Sequence, residues 1–366
     1  MRIIAVANQK GGCGKTTTSI NFSACLAFLH KKVLLVDLDP QGHSTCGLGI
    51  RAEERTYSLY DLLKVAEKFK PDISQVMVEI DPYFFVIPSY IVLNALEEEL
   101  ANLTDRNKRL KKTLDYILEE KPGFDFVIID CPPNLGILTF NALEVADQVL
   151  IPIEPSFFSL HGLAKISETL SLMNQKRHHR IEIHALLTLF NSHTRFAKEV
   201  YEEVRVHFGD RLFKTIIHES VVLKEAASAG QSIVQYDSKS SAFQDYFNLA
   251  VEYLEREWDR QLPEKTLGWK NVMHHLYGPR RVVGGTMFQF ISKNAREVEI
   301  AGDFNHWIPE ALISKKEQGL WHIVLPITNG NFRYKFIVDG EWQVDPYQPV
   351  QKQNDFGSFD SYLELV

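Results

Sequence analysis

Two patterns of hydrophobic and polar residues divide the chain near residue 258. Before that point, short apolar runs alternate with longer segments in which apolar residues recur with the helical period. The predicted strands are Ile3–Ala7, the apolar parts of Lys32–Gly42 and Phe124–Pro133, Tyr83–Pro88, Val149–Pro155, His184–Phe190 and Leu212–Ile217. The predicted helices are Thr18–Leu29, Tyr57–Phe69, Tyr90–Leu118, Phe196–Phe208 and Ala242–Trp258. This alternation predicts an α/β fold in which helices cover both faces of a mostly parallel sheet.

From Thr286 onward, apolar and polar residues alternate with the period of a strand. The predicted strands of this region are Met287–Ile291, Glu297–Ala301, Leu320–Ile327, Phe332–Val338 and Tyr362–Val366. Turn signals such as Asn329-Gly330 and Asp339-Gly340 separate them. We therefore expect an all-β, immunoglobulin-like sandwich over residues 284–366, an α/β domain over residues 1–258, and a linker over residues 259–283 with one short helix near Trp269–Leu276.

A glycine-rich turn follows the first predicted strand and opens the first helix. Its phosphate-binding positions are predicted to be Gly11, Gly12, Cys13, Gly14, Lys15, Thr16 and Thr17. Glycines let the backbone bend so that successive N–H groups point at an anion, and the helix dipole adds positive potential there. Lys15 supplies a charge for the terminal phosphates, and the Thr16 hydroxyl is placed to ligate Mg²⁺. The alternative is a tight turn without an anion, which the flanking strand and helix disfavour.

Two later strands deliver carboxylates to the same edge of the predicted sheet. Asp37 and Asp39 end the strand that begins at Lys32, within Asp37-Leu38-Asp39-Pro40-Gln41-Gly42. Asp130 ends the apolar run from Phe126, which is the Walker B pattern, and would reach the hydration shell of Mg²⁺. Both Asp37 and Asp39 could instead serve only as acids that cap a strand.

The turn Lys10-Gly11-Gly12-Cys13-Gly14-Lys15-Thr16-Thr17 departs from an ordinary P-loop, because Gln9 replaces the leading glycine and Lys10 is added. It resembles the deviant Walker A motif of the ParA/MinD family of ATPases, over residues 1–258. The resemblance implies that Lys10 reaches the phosphates held by the opposite subunit, so that ATP holds a homodimer together. It also implies that Asp39 positions the attacking water, which gives Lys10, Lys15 and Asp39 catalytic roles with ATP and Mg²⁺ as cofactors.

The chain departs from this family where DNA-bound members carry arginines. His193, Glu219 and Val222 stand at those positions, although Arg195 and Lys224 lie close by. Non-specific DNA affinity comes chiefly from neutralising phosphates, so we expect DNA binding to be weak.

The C-terminal region resembles the glycogen-binding module of the AMP-activated kinase β subunit. The resemblance rests on Val298–Trp307, Tyr334–Trp342 and Asp345-Pro346. It implies contacts with an α-glucan such as glycogen from Trp307, Lys335, Trp342, Phe356, Ser358 and Asp360. Aromatic rings suit the flat C–H faces of glucose, and polar groups suit its hydroxyls. The alternative is that the two tryptophans belong to the core of a sandwich without a ligand.

Composition narrows the class of protein. The 366 residues carry a formal net charge of −7, which argues against a generally basic nucleic-acid binder. The four cysteines show no metal-ligand spacing. The sequence shows neither a signal-like leader nor an apolar run long enough to span a bilayer, so we expect a cytoplasmic protein with no membrane partner.

Three hypotheses about function follow. The first is a ParA/MinD-like ATPase, weak and stimulated by a partner protein, whose ATP-dependent dimer acts in partitioning or positioning and attaches to an α-glucan. The second is a conventional partition ATPase that binds DNA non-specifically and uses the sandwich to bind proteins. The third is a glucan-binding adaptor that nucleotide controls but that hydrolyses negligible ATP.

Overall fold

The computed structural model describes residues 1–64, 71–100, 103–156, 181–261, 278–282, 284–292, 295–315, 320–348, 350–354 and 356–365. The chain divides into two compact units, Met1–Tyr253 and Leu254–Val366. The predicted helix near Trp269–Leu276 and the end of the predicted helix Tyr57–Phe69 lie outside the described residues.

The first unit is built on an eight-stranded sheet in the order β3-β4-β2-β5-β1-β6-β7-β8. Its strands are β1 (Arg2–Val6), β2 (Val33–Asp37), β3 (Val78–Asp81), β4 (Phe84–Ile87), β5 (Phe126–Asp130), β6 (Gln148–Ile153), β7 (Glu182–Phe190) and β8 (Leu212–His218). Only β3, among these strands, pairs antiparallel. Every residue of β2, β5 and β6 is buried, which explains why these strands read as continuous apolar runs. The predicted, mostly parallel α/β sheet is therefore confirmed.

The described helices connect these strands. They are α1 (Lys15–Phe28), α2 (His43–Gly47), α3 (Leu59–Lys64), α4 (Ile73–Val76), α5 (Ala95–Leu100), α6 (Arg109–Glu120), α7 (Ile137–Val145), α8 (Arg195–Phe208), α9 (Val221–Ser228), α10 (Ile233–Tyr236) and α11 (Ser241–Gln261). The single helix predicted over Tyr90–Leu118 is wrong, because α5 and α6 are separate helices. Asp105 accepts hydrogen bonds from Arg109 (3.1 Å) and Lys112 (2.7 Å), and this carboxylate favours a new helix start at that point.

The sheet topology brings the predicted phosphate-binding turn and the predicted acidic residues to the same edge of the sheet. Strand β5 lies between β1 and β2, and its last residue, Asp130, is in register with Val6 on one side and Asp37 on the other. The loops that follow these three parallel strands therefore leave the same edge of the sheet. This places the glycine-rich turn beside Asp37, Asp39 and Asp130.

The second unit contains two antiparallel sheets, in the orders β13-β14-β10-β9 and β12-β11-β15-β18-β17, and β16 pairs with β15. The strands are β9 (Arg280–Val282), β10 (Gly285–Ile291), β11 (Val298–Gly302), β12 (Glu310–Ala311), β13 (Ile313–Lys315), β14 (Leu320–Leu325), β15 (Gly330–Val338), β16 (Glu341–Gln343), β17 (Gln351–Gln353) and β18 (Phe359–Leu365). Phe288, Phe336 and Trp321 lie in the core of this unit. Two such sheets around an apolar core are the predicted sandwich.

The sandwich begins earlier than the sequence indicated. Strand β9 lies inside the predicted linker of residues 259–283, and it pairs antiparallel with β10 through Arg280, Arg281 and Val282. An arginine pair gives little strand signal on its own, which is why this edge strand was missed. None of the described helices has the length and apolar character needed to cross a membrane.

Candidate functional site

The glycine-rich turn has the backbone shape that an anion site requires. Gly14 caps α1 with a left-handed φ of 81°, and Gly12 has a φ of 76°. A side chain at either position would be strained, whereas glycine adopts these angles freely. Thr188 on β7 donates its hydroxyl to the Cys13 carbonyl at 2.8 Å and so fixes the middle of the turn. The turn thus leads directly into the N-terminus of a helix of fourteen residues.

Lys15 lies within this turn. Its side chain is only 7% exposed, and its ammonium group donates to the Lys10 carbonyl at 2.8 Å. The Cys13 thiol also donates to this carbonyl, at 3.2 Å. Burial is the largest influence on the Cys13 thiol and raises its pKa. Cys13 is therefore a packed, protonated part of the turn.

Lys10 is bound by groups of its own chain. Its ammonium group forms an ion pair with Glu154 and donates to the Ser156 hydroxyl at 2.6 Å. Both partners follow β6, which is adjacent to β1 in the sheet. Glu154 could not be predicted as a partner of Lys10 from the sequence, because 144 positions separate the two residues. The predicted contact of Lys10 with an opposite subunit stays a prediction, and it requires the pair with Glu154 to open.

Asp37 and Asp39 have different environments. Asp37 is fully buried and accepts hydrogen bonds from the Thr45 hydroxyl (2.7 Å) and the Thr45 backbone N–H (2.8 Å). Burial, followed by the charge of Asp130, raises the pKa of Asp37 well above its usual value. Asp39 accepts from the Gln41 backbone at 2.9 Å, while the Ser89 hydroxyl holds its carbonyl at 3.0 Å. Asp37 therefore anchors α2, whereas Asp39, which is 6% exposed, accepts only the Gln41 backbone N–H among the hydrogen bonds described for its carboxylate.

Asp130 is fully buried and is held by hydroxyl groups. Ser19 on α1 donates to one carboxylate oxygen at 3.0 Å, and Ser44 on α2 donates to the other at 2.7 Å. Burial raises the pKa of Asp130, and the hydrogen bonds from Ser44, Thr16 and Ser19 oppose that rise. Ser19 and Ser44 were missed by the sequence analysis, although a serine one turn after Lys15 in an apolar helix is a signal that could have indicated Ser19.

The available donor groups fit Mg²⁺ and a nucleoside triphosphate. The Thr16 hydroxyl and the Asp130 carboxylate are oxygen donors, which Mg²⁺ prefers, at the edge where the turn presents its N–H groups. The part of the chain that the structure describes holds no cluster of three or more His, Cys, Asp or Glu residues suited to a metal.

In the second unit, two predicted tryptophans lie together at the surface. The rings of Trp307 and Trp342 are 6.3 Å apart with an angle of 32° between their planes, and Trp342 is 50% exposed. Trp307 has a left-handed φ of 61°, a strained conformation typical of a functional position. Asp303 accepts its indole N–H at 3.0 Å and holds the ring. The core tryptophan is instead Trp321.

Polar groups accompany this aromatic pair on the same sheet. Trp342 faces Ile337 across β15 and β16, and Ile337 shares a strand face with Lys335. The Lys335 ammonium group donates to Ser358 at 3.1 Å and lies 3.2 Å from Asp360. Asp360 is only 3% exposed, so in this structure its carboxylate orients Lys335 and does not face solvent.

The loop that precedes β18 presents another aromatic ring. Phe356 is 95% exposed, next to Gly357 with a φ of 82°. Asn354, which the sequence analysis missed, accepts from the backbone N–H groups of Phe356 (3.1 Å) and Ser358 (3.0 Å). It also donates to Ser358 and Asp360, both at 2.8 Å. Asn354 therefore fixes the loop that carries two of the predicted glucan contacts.

The positions that lack the family's arginines are at the surface of the first unit. His193 and Glu219 are exposed, and Val222 is half-buried. Arg195 has a side chain that is 93% exposed and pairs with Glu199 at 3.0 Å. Lys224 is exposed on α9.

Comparisons with known proteins identify relatives of both units. A family model described as an AAA domain matches residues 1–183, and one described as the glycogen recognition site of AMP-activated protein kinase matches residues 285–366. The sporulation initiation inhibitor protein Soj of Bacillus subtilis is 42% identical over 252 residues, 69% of this chain and 97% of Soj. The chromosome partitioning protein ParA of Caulobacter vibrioides is 40% identical over 262 residues, 71% of this chain and 97% of ParA.

Solved structures agree on the fold of the first unit. Cobyrinic acid a,c-diamide synthase from Mycobacterium smegmatis, with bound ADP and magnesium, superposes with a TM-score of 0.60 at 30% identity, covering 73% of this chain and 99% of that one. A putative plasmid partition protein from Borrelia burgdorferi bound to AMPPNP gives a TM-score of 0.59 at 26% identity, covering 70% and 99%. Both are structures with a bound adenine nucleotide.

Proposed function

Because the chain belongs to the family of ParA and Soj chromosome-partitioning ATPases, we propose that it is a Mg²⁺-dependent ATPase whose ATP-bound dimer attaches to an α-glucan such as glycogen. Hydrolysis, which a partner protein stimulates, returns the dimer to monomers. The observation that carries the glucan assignment is the pairing of half-buried Trp307 with exposed Trp342 on the face that also bears Lys335. The protein then partitions or positions its cargo on polysaccharide.

The nucleotide chemistry follows from the groups around the turn. The backbone N–H groups and Lys15 would bind the phosphates, Thr16 would ligate Mg²⁺, and Asp130 would hold a water of the metal's hydration shell. Bound Mg²⁺ supplies charge neutralisation for the phosphates. Asp39 would orient the attacking water, since phosphoryl transfer asks the protein chiefly for positioning and charge compensation.

Dimerisation depends on a competition for Lys10. Its ammonium group pairs with Glu154 within one chain, with side chains that are 24% and 31% exposed. A triphosphate held by a second subunit offers more negative charge than one carboxylate and would draw Lys10 across the interface. We expect Lys10→Ala to fold normally and to remain monomeric with ATP on size-exclusion chromatography; an unchanged ATP-dependent dimer would refute this role.

The surface chemistry favours polysaccharide over DNA. Exposed Glu219 and half-buried Val222 stand where the resemblance places the cations of DNA-bound family members. Each lost phosphate contact weakens non-specific DNA binding and lowers its salt dependence. The sandwich offers aromatic rings and hydrogen-bonding groups that suit sugar instead.

Co-sedimentation with glycogen tests the proposal. The full-length protein, with ATP or ADP, is centrifuged with glycogen beside the Trp307→Ala/Trp342→Ala double variant. We expect the wild type in the pellet, more strongly with ATP, and the variant in the supernatant with normal ATP binding. Equal recovery of both proteins in the pellet would contradict the glucan assignment. ATPase activity measured alone, with DNA and with glycogen shows which surface affects turnover, and Asp39→Ala separates an ATPase from an adaptor, in which turnover would not change.

The second candidate is a conventional partition ATPase in which the sandwich binds proteins. The chromosome-partitioning role of the Caulobacter vibrioides ParA relative favours it, as does exposed Arg195. Electrophoretic retardation of DNA by the ATP-bound form, sensitive to salt and to Arg195→Ala, would support it. Retention on glycogen without DNA retardation would exclude it.

A further inference from the structure

The face that bears Lys335 continues past the predicted glucan contacts. Tyr362 lies two residues after Asp360 on β18, so both side chains project from the same face of the sheet. Its partner across the sheet is Arg333, which lies two residues before Lys335 on β15. Same-face residues on a strand are about 7 Å apart, so Tyr362 lies about 7 Å beyond the Lys335 row.

A cleft of about 460 Å³ opens at this end of the sandwich. Its lining includes Arg280, Arg281, Gln348, Val350, Tyr362 and Glu364. They come from the edge strand β9 of one sheet, from the segment before β17 and from β18 of the other. The cleft is therefore the open side of the sandwich, and Tyr362 belongs both to it and to the face of Lys335.

The lining has the chemistry that a sugar requires. Tyr362 offers a ring for the C–H face of a glucose unit, while Gln348 and Glu364 offer groups for its hydroxyls. Arg281 is held in place, because it donates to the Thr328 carbonyl at 2.6 Å and to the Asn329 side chain at 2.8 Å. Because these hydrogen bonds fix its guanidinium group, Arg281 is preorganised to donate to a sugar, which lowers the entropic cost of binding.

In this structure a lysine side chain lies over the ring of Tyr362, where the proposed sugar would stack. The Lys352 ammonium group lies 3.2 Å from the ring centroid, and Lys352 is exposed on the edge strand β17. Tyr362 is half-buried and Lys352 is exposed, and a cation over a ring near the surface interacts weakly, so an arriving sugar can take its place. The ammonium group then becomes a donor for sugar hydroxyls.

We propose that this cleft is a second glucan subsite, which extends the chain bound at Trp307, Trp342 and Lys335 towards Tyr362. Three successive same-face positions of β15 are Ile337, Lys335 and Arg333. Trp342 lies opposite Ile337, and Tyr362 lies opposite Arg333, so the aromatic and polar contacts follow one line along the strand. A linear α-glucan that follows this line reaches the cleft only when it is long enough. The inference rests on the proposed function, and it adds that the module selects long glucan segments over short ends.

Isothermal titration of the full-length protein with maltotriose, maltopentaose and maltoheptaose tests the subsite. For the wild type we expect affinity to rise with chain length. Tyr362→Ala should bind maltotriose like the wild type but bind maltoheptaose roughly fivefold more weakly, as expected for losing one aromatic contact. Tyr362→Phe keeps the ring and should bind all three sugars like the wild type.

The outcomes separate the subsite from the proposed function. If Tyr362→Ala shows the wild-type rise with chain length, the second subsite is refuted while glucan binding stands. If the wild type binds none of the sugars, both the subsite and the glucan assignment fail. Unchanged maltotriose binding shows that Tyr362→Ala is folded, and Glu364→Gln, an exposed substitution, should independently weaken maltoheptaose binding alone.

Discussion

A buried acid in the second unit predicts that the sandwich becomes less stable as the pH rises. Asp345 is 1% exposed and accepts the Tyr334 hydroxyl at 2.6 Å and the Tyr347 backbone N–H at 2.7 Å. Its own N–H donates to the Ser361 hydroxyl on β18 at 2.7 Å. Asp345 therefore connects two strands of the sheet that bears the predicted glucan contacts, and its charge state affects that sheet.

The magnitude follows from the pKa of this carboxyl. Burial raises the pKa of Asp345 to about 6, and the hydrogen bonds from Tyr334, Tyr347 and Gln348 oppose that rise. In an unfolded chain the pKa is about 3.9, so the difference corresponds to about 3 kcal/mol. Because the folded pKa is the higher one, the stabilisation is fully present below about pH 4 and is lost as the pH rises through about 6.

Hydrogen exchange of the full-length protein measures this effect locally. After correction for intrinsic rates, protection of the β15 and β18 amides should fall roughly 30- to 100-fold between pH 4 and pH 7. Asp345→Asn, which cannot ionise, should lack this component, and the difference between the two proteins removes the contributions of other acids. The same pH dependence in Asp345→Asn and in the wild type would refute the reasoning.

Three further predictions concern single substitutions. Glu154→Gln weakens the grip on Lys10, so ATP-dependent dimerisation measured by light scattering should need roughly two- to tenfold less ATP; a higher requirement would contradict this. Ser44→Ala removes a donor to the buried Asp130 carboxylate, so half-maximal binding of a fluorescent ATP analogue should need about tenfold more Mg²⁺, with Ser44→Thr as the conservative control. Asp303→Ala frees the indole ring that it holds and also removes the acceptor of the Arg333 backbone N–H at 2.7 Å, so glycogen affinity should fall severalfold and thermal stability should fall too. Unchanged affinity would contradict a positioning role.

Local sequence patterns were sufficient to predict the secondary-structure elements that carry the predicted nucleotide site. A glycine-rich turn between an apolar run and a helical segment depends on neighbouring residues, and the structure has α1 begin at Lys15 after Gly14 in a left-handed conformation. Likewise the apolar run that ends at Asp130 is a fully buried parallel strand, as expected. In both cases the same few residues determine both the element and the position of its functional group.

Contacts between distant segments could not be predicted in this way. The pairs Lys10–Glu154 and Ser44–Asp130 join residues 144 and 86 positions apart, and they exist because β6 lies beside β1 and β5 lies beside β2. Strand β3 was missed because none of its four residues is fully buried and they lack a continuous apolar run. The pattern also failed to show that Asp360 is buried, since that depends on the loop held by Asn354.

The two units act together if ATP, by controlling dimerisation, determines whether one or two sandwiches are available to bind glucan. A monomer offers one glucan site, whereas the proposed dimer offers two on a polymer with many equivalent chains. The second contact is then intramolecular, and avidity can exceed single-site affinity by about 10²- to 10⁴-fold without any change at Trp342 or Tyr362. Opening the Lys10–Glu154 pair would thereby convert weak, short contacts into lasting attachment, and hydrolysis would reverse it. A weak individual sugar site, typical of an exposed aromatic face, is what such a switch requires, because a tight site would hold the monomer as well.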